Sequence, residues 1–181
     1  MNVLSVKILK QFLKIAGEEL SGEWVLMGGT VLPLLGIDYR STVDIDIVAV
    51  KDEEKKRSQS VKLMEIAEKL KLPVESINQA GEYFLHKIPC YERCLIPLHK
   101  GKNATIYRPN LELYIRLKID RISESDLNDC LEYLNYTKKN KEKISVKIVG
   151  YIDRAVLTAS SDEKKDRLKI LAEHLANITY R

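Results

Sequence analysis

Asp44 and Asp46 stand two residues apart in the stretch Val43-Asp44-Ile45-Asp46-Ile47-Val48. Alternation at period two marks a strand with one buried face. Both carboxylates then project from one side, roughly 7 Å apart at the backbone, while Val43, Ile45 and Ile47 face the core. Two carboxylates side by side on a rigid strand repel each other. They become favourable when a hard divalent cation binds between them. Mg²⁺ takes one or two carboxylates and completes its shell with phosphate oxygens. The expected chemistry is metal-assisted, on a phosphate-bearing ligand, with Asp44 and Asp46 as ligands of Mg²⁺ or Mn²⁺.

Upstream, Trp24-Val25-Leu26-Met27 precedes Gly28-Gly29-Thr30. The apolar run reads as a buried strand, and Thr30 to Leu35 as the first turns of a helix. A strand, a Gly-Gly turn and a helix start leave backbone N–H groups pointing outward. Without Cβ atoms at Gly28 and Gly29, a phosphate can approach the backbone closely. Thr30 can cap the helix or donate its hydroxyl to a phosphate. A Gly-Gly pair alone is more often a tight turn; the pair followed by an Asp-x-Asp strand is the specific signal.

A second set of charged residues lies in Leu111 to Leu134. Glu112, Arg116 and Asp120 recur every four residues and are expected to form a solvated helix stripe. Lys118 sits about 200° around from Arg116, beside Leu111, Tyr114, Ile115 and Ile122. A lysine on an apolar face needs a charge partner, for which a triphosphate or a carboxylate would serve, or else it extends its head to water. Ser123-Glu124-Ser125-Asp126 fits a capping box. Asp126 and Asp129, three residues apart, share a helix face and can also reach a common ligand or a basic partner.

These residues resemble the nucleotidyltransferase superfamily of DNA polymerase beta type, and within it most closely the AbiEii/MenA-type toxin-like nucleotidyltransferases. The likeness rests on Gly28-Gly29-Thr30 followed by Arg40-Ser41-Thr42-Val43-Asp44-Ile45-Asp46, and more loosely on Lys118, Arg121, Asp126 and Asp129. It implies a nucleotidyltransferase fold that binds a nucleoside triphosphate with Mg²⁺ and transfers a nucleotidyl group to an acceptor. By this resemblance Asp44, Asp46, Lys118 and Asp126 are the expected catalytic residues, with Asp129 second to Asp126. Gly28, Gly29, Thr30, Arg40, Thr42 and Lys118 are expected to bind the nucleotide. The acceptor would be RNA, tRNA for some toxins of this branch, or a protein, and a cognate antitoxin is a possible partner. Most superfamily members carry a third carboxylate on a later strand. Here the candidate strand Ala104-Thr105-Ile106-Tyr107 has no acid, and Glu82 and Glu92 are the nearest alternatives.

The whole composition is that of an ordinary globular chain. Apolar residues make up 45% and charged residues 31% of 181, enough to bury a core. The net charge of +4 is compatible with a nucleotide or RNA ligand without arguing for one. No apolar run approaches the length of a membrane span, and lysines interrupt the N-terminal VLSVKILKQFLKIAG, so an amphipathic helix and a cytoplasmic location are expected. Cys90, Cys94 and Cys130 lack zinc-ligand spacing and read as buried reduced thiols. His86, His99 and His174 are scattered and receive no role.

The elements needed to position the site follow an α/β order: a mixed sheet flanked by helices, with a helical C-terminal subdomain. Helices are expected over 3–16, 30–35, 59–70, 111–122, 125–136, 144–158 and 162–178. Strands are expected over 24–27, 43–50, 82–88, 93–98 and 104–107, with a hairpin turn at 100–103. Residues 51–57 and 138–143 read as charged linkers. Residues 1–137 would form the nucleotidyltransferase-fold domain and 138–181 the helical subdomain. The competing reading is an inactive domain of the same fold that binds nucleotide or a protein partner.

Overall fold

Ser5 caps the first helix, its hydroxyl accepting from the Ile8 N–H at 3.3 Å, and α1 runs Val6–Glu19. In this computed structural model, which describes residues 3–39, 41–50 and 56–179, the chain divides into two compact units, Met1–Pro109 and Asn110–Arg181. The division falls at the end of a strand, earlier than the 137/138 boundary expected from the sequence.

The first unit is built on a five-stranded mixed sheet. Its strands are β1 (Gly22–Met27), β2 (Ile45–Ala49), β3 (Ile77–Asn78), β4 (Leu95–Lys100) and β5 (Ala104–Pro109), in the order β3-β2-β1-β5-β4. β1 pairs antiparallel with β2 and parallel with β5. β2 pairs parallel with β3, and β4 antiparallel with β5. Leu9, Phe12, Leu13 and Ala16 of α1 are buried at helical spacing. That stripe lies one residue along from Ile8 and Ile15, which are only half-buried. α1 packs on β4 and β5. Trp24, Leu26, Ile45, Ile47 and Ile106 are buried in the sheet, and their pairing in register places them on one face. α3 (Lys56–Lys69) contributes Leu63, Ile66 and Ala67 to the core. Residues 51–55 of the expected charged linker lie outside the described residues, and Lys56 and Arg57 belong to α3.

Two expectations from the sequence are corrected in this unit. Glu82–His86 is a short helix, α4, not a strand. Leu85 and Ile88 are buried while Tyr83 and Phe84 are exposed, a three-residue period that a strand cannot produce. The two-residue β3 was missed because so short a segment carries no periodicity. The expected helix 30–35 is a 3₁₀ turn, Gly28–Thr30, leading into a single α-turn, α2 (Val31–Leu34).

The second unit is helical: α5 (Leu111–Lys118), α6 (Glu124–Lys139), α7 (Lys147–Leu157) and α8 (Asp162–Thr179). α5 is buried on nearly every side. Glu112 is among its buried residues, so the stripe it forms with Arg116 and Asp120 is not wholly solvated. The Tyr114 and Tyr133 rings meet edge to face, centroids 4.7 Å apart. No described helix is long and apolar enough to cross a membrane.

One close approach locks α1 to the β4–β5 hairpin. The Asn103 N–H donates to Gly17 O at 3.0 Å and its side-chain amide to Glu18 O, which satisfies carbonyls at the helix end. A Cβ on Gly101 would lie 2.2 Å from Gly17 O. Gly101→Val should therefore lower stability by about 1–3 kcal/mol through overpacking, read as a lower urea midpoint. An unchanged midpoint would show that the hairpin moves away without cost.

Candidate active site

The end of β1 and the start of β2 lie side by side, with Met27 paired to Asp46. At Gly28 the backbone turns with φ +62°. A Cβ there would lie 2.1 Å from Asp46 Oδ2 and 3.1 Å from its Cγ. The Asp46 carboxylate thus occupies the space that any other residue at 28 would fill, and the positive φ independently favours glycine. Sterics and backbone conformation agree on the same residue, which is the physical content of the Gly-Gly turn.

Asp44 lies one residue before β2. Its carbonyl accepts two hydroxyls, Thr30 Oγ1 at 2.8 Å and Thr42 Oγ1 at 3.1 Å. The carbonyl's two lone pairs are thereby used, and the backbone leading into the strand is fixed. Thr30 is fully buried and makes no cap bond. The hydroxyl expected at a helix cap or a phosphate serves to hold Asp44. Along this stretch Asp44 and Asp46 are half-buried, alternating with fully buried Ile45 and Ile47. The alternation ends at Val48 and Val50, which are also buried, so the carboxylates occupy the accessible end of the strand. On the far side of β2, Asn78 of β3 is in register with Asp46. Arg40 lies outside the described residues.

The other expected residues come together in the second unit. A tight turn joins α5 to α6: the Ile122 N–H donates to Lys118 O at 2.7 Å, and Ile122 takes φ +33°, strained for a β-branched residue. Arg167 of α8 holds that turn by donating to Ile122 O at 2.7 Å. The turn brings Lys118 Nζ to 2.9 Å from Asp126 Oδ1 and 2.8 Å from Asp129 Oδ2. All three are buried. Arg121, largely exposed, grips Asp126 with two bonds of 2.6 and 2.7 Å. Asp126 also completes the capping box with Ser123. Of the partners open to Lys118 from the sequence, carboxylates are the ones observed. Two of its three donors are used on them.

The two aspartates titrate in opposite directions. Burial alone would raise Asp126, but the hydrogen bonds from Arg121 and Lys118, the Lys118 charge and the Ser123 bond hold it well below the usual carboxylate range. Burial pushes Asp129 up to about 7, against the pull of Lys118. Beside them Cys130 is fully buried. Burial chiefly, with Asp126 and Asp129 adding to it and Lys118 opposing, pushes its thiol up to about 12, so it is inert. Cys130 alone fits the expectation of a buried thiol; Cys94 is half-buried and Cys90 exposed.

Among the described residues no third acid joins Asp44 and Asp46, and no group of three or more His, Cys, Asp or Glu is placed to hold a metal. Glu82 opens α4 and lies 3.8 Å from His86, and Glu92 sits in the 3₁₀ turn before β4. Asn78, the β3 neighbour of Asp46, stands on a two-residue strand that has no sequence signature.

Two outcomes follow from the buried cluster. Lys118→Met leaves two buried carboxylates without their ammonium and should cost about 3–5 kcal/mol, measured by urea denaturation; a loss under ~1 kcal/mol would mean the pairs are not compensating each other. The pH dependence has a definite sign. An unfolded aspartate ionises near ~3.9. Asp126, held low, stabilises above that pH, and the contribution is lost as pH falls. Asp129, raised, stabilises fully below it, and the contribution is lost as pH rises toward about 7. Asp129→Asn resembles the protonated form, so its melting temperature should gain on wild type between roughly pH 4 and pH 7 and level off above that. A difference constant across that range would contradict the assignment.

No curated protein and no solved structure matches the chain. A family model described as "Nucleotidyltransferase of unknown function (DUF6036)" matches residues 5–177. That span covers both units, and the α/β architecture, a mixed five-stranded sheet flanked by helices, is consistent with a nucleotidyltransferase fold. The chain belongs to this nucleotidyltransferase family.

Proposed function

We propose that this protein transfers a nucleotidyl group from a nucleoside triphosphate to an RNA, tRNA foremost, or to a protein acceptor, with Mg²⁺ or Mn²⁺ as cofactor. The observation that carries this reading is the fit of the Asp46 carboxylate into the space over Gly28, next to the pinned Asp44. Together they put two half-buried aspartates beside a glycine edge.

The donor set suits the cation. Two carboxylates with no third acid grouped beside them among the described residues do not make an all-protein cage, but Mg²⁺ is commonly held by one or two carboxylates with substrate phosphates. When bound, the ion would neutralise charge on the triphosphate. Asp44 and Asp46 would hold it. At Gly28 the space of the missing Cβ is taken by the Asp46 carboxylate, and Gly29 beside it, also lacking a Cβ, would let phosphate oxygens come close to the backbone. α2 spans only four residues, so its dipole contributes little and the glycine edge itself is the cradle. Thr30 and Thr42 would act on Asp44, keeping its carboxylate at the strand end, and Arg40 would add a cation for the phosphates. The acceptor hydroxyl would attack the α-phosphorus, forming the new P–O bond as pyrophosphate leaves. Lys118 and Asp126 enter this reading as the ion-paired framework of the second unit.

The resemblance of Arg40 to Asp46 to the AbiEii/MenA-type branch favours a toxin-like enzyme with a cognate antitoxin, working in the cytoplasm. The candidate strand Ala104-Thr105-Ile106-Tyr107 carries no acid, which favours the second reading, an inactive domain that binds nucleotide or a protein. Incubation with each labelled nucleoside triphosphate, Mg²⁺ and total RNA or lysate separates the two. Wild type should label a macromolecule. Asp44→Asn and Asp46→Asn should each lose that labelling by at least ~10²-fold, the scale of a lost electrostatic stabiliser. Triphosphate binding with no transfer to any acceptor would establish the inactive domain instead.

A further inference from the structure

Asp46 has a strand on each side. Across β1 its partner is Met27. Across β3 the strands run parallel, with Ile45 paired to Ile77 and Asp46 to Asn78. Residues paired in register project from the same face of a sheet. The burial agrees: Ile45 and Ile77 are buried together, while Asp46 and Asn78 are half-buried together. Asn78 Oδ1 accepts from the Ala80 N–H at 3.2 Å, an Asx turn that commits the amide oxygen to the backbone. Its two N–H donors are the part of the group left to meet a ligand.

We infer that Asn78 is the third polar member of the Asp44–Asp46 site: a neutral donor to a phosphate oxygen of a triphosphate bound beside Asp46. This inference rests on the nucleotidyltransferase reading and adds a residue to it. It gives the β3 side of the site a polar group that is not an acid. An acid at 78 would place a carboxylate directly beside Asp46, repelling it whenever no cation is bound. An amide at 78 avoids that repulsion, leaves two negative charges for the metal, and turns donors toward the phosphate instead.

Two variants test this, with Mn²⁺ and inorganic tripolyphosphate as probes. Asn78→Asp keeps the Asx turn and adds a carboxylate. Its melting temperature should fall in EDTA and recover with Mn²⁺, and its Mn²⁺ affinity should exceed that of wild type by on the order of 10-fold, because charge count sets divalent affinity. Asn78→Ser keeps a turn-forming acceptor and removes the amide donors. It should melt like wild type and bind Mn²⁺ alike, yet bind tripolyphosphate with Mn²⁺ roughly 10-fold more weakly, the scale of one hydrogen bond to a charged group. If Asn78→Asp melts and binds Mn²⁺ as wild type does, Asn78 is not beside the site. If Asn78→Ser lowers only the melting temperature, Asn78 serves the turn alone. Either result overturns the inference while leaving the proposed function standing, provided wild type binds both probes. A wild type that binds neither overturns both.

Discussion

The candidate site depends on one steric fact: the Asp46 carboxylate lies where a side chain on residue 28 would begin. β1 and β2 can bring their ends together with a carboxylate between them only if a glycine follows β1. The antiparallel pairing of Met27 with Asp46 sets the register, and a shift of one residue would turn Asp46 into the core and Ile45 or Ile47 out of it. The buried isoleucines oppose that slip, so apolar packing on one face fixes the carboxylates on the other. The hydroxyls of Thr30 and Thr42 on the Asp44 carbonyl extend the same control one residue before the strand.

The second unit solves a different problem. A buried ammonium faces two buried carboxylates, and a single positive charge cannot compensate both. Arg121 supplies the second positive charge from the surface, and burial raises the proton affinity of Asp129. The strained Ile122 turn is the backbone cost of bringing Lys118 and the α6 acids together, and the Arg167 bond to Ile122 O helps hold it. Buried ion pairs of this kind specify one arrangement more than they add net stability, which is consistent with a turn that leaves no freedom in how α5 meets α6.

What could be read from the sequence was whatever carries a period or a fixed spacing. Ile45 and Ile47 alternating with Asp44 and Asp46 marked β2, and the capping box at Ser123 marked the start of α6. The hairpin at 100–103 followed from its turn residues and is present, with Gly101 bonded back to Ala104. The α4 helix carries a strand-like signal because Tyr83 and Phe84, strand-favouring residues, are exposed on a single helical turn. β3 was invisible, since two residues show no pattern, and with it went the neighbour of Asp46. The sequence allows the Thr30 hydroxyl a helix cap or a phosphate; its bond to Asp44, fourteen residues away, is a tertiary contact that no local rule contains. Helical spacing gives the direction of Lys118 but not its company, so phosphate, carboxylate and water are all open to it in the sequence.

The central claim is that Asp44 and Asp46, beside Gly28, form one site for a metal ion together with a triphosphate. The most direct measurement is the water-proton relaxation of Mn²⁺ titrated into wild-type protein, with and without a non-hydrolysable nucleoside triphosphate, repeated on Asp46→Asn. The account predicts that the triphosphate tightens the protein's hold on Mn²⁺ and that the tightening disappears in the variant. Mn²⁺ binding that is indifferent to the triphosphate, or a coupling that survives the loss of the Asp46 charge, would contradict it.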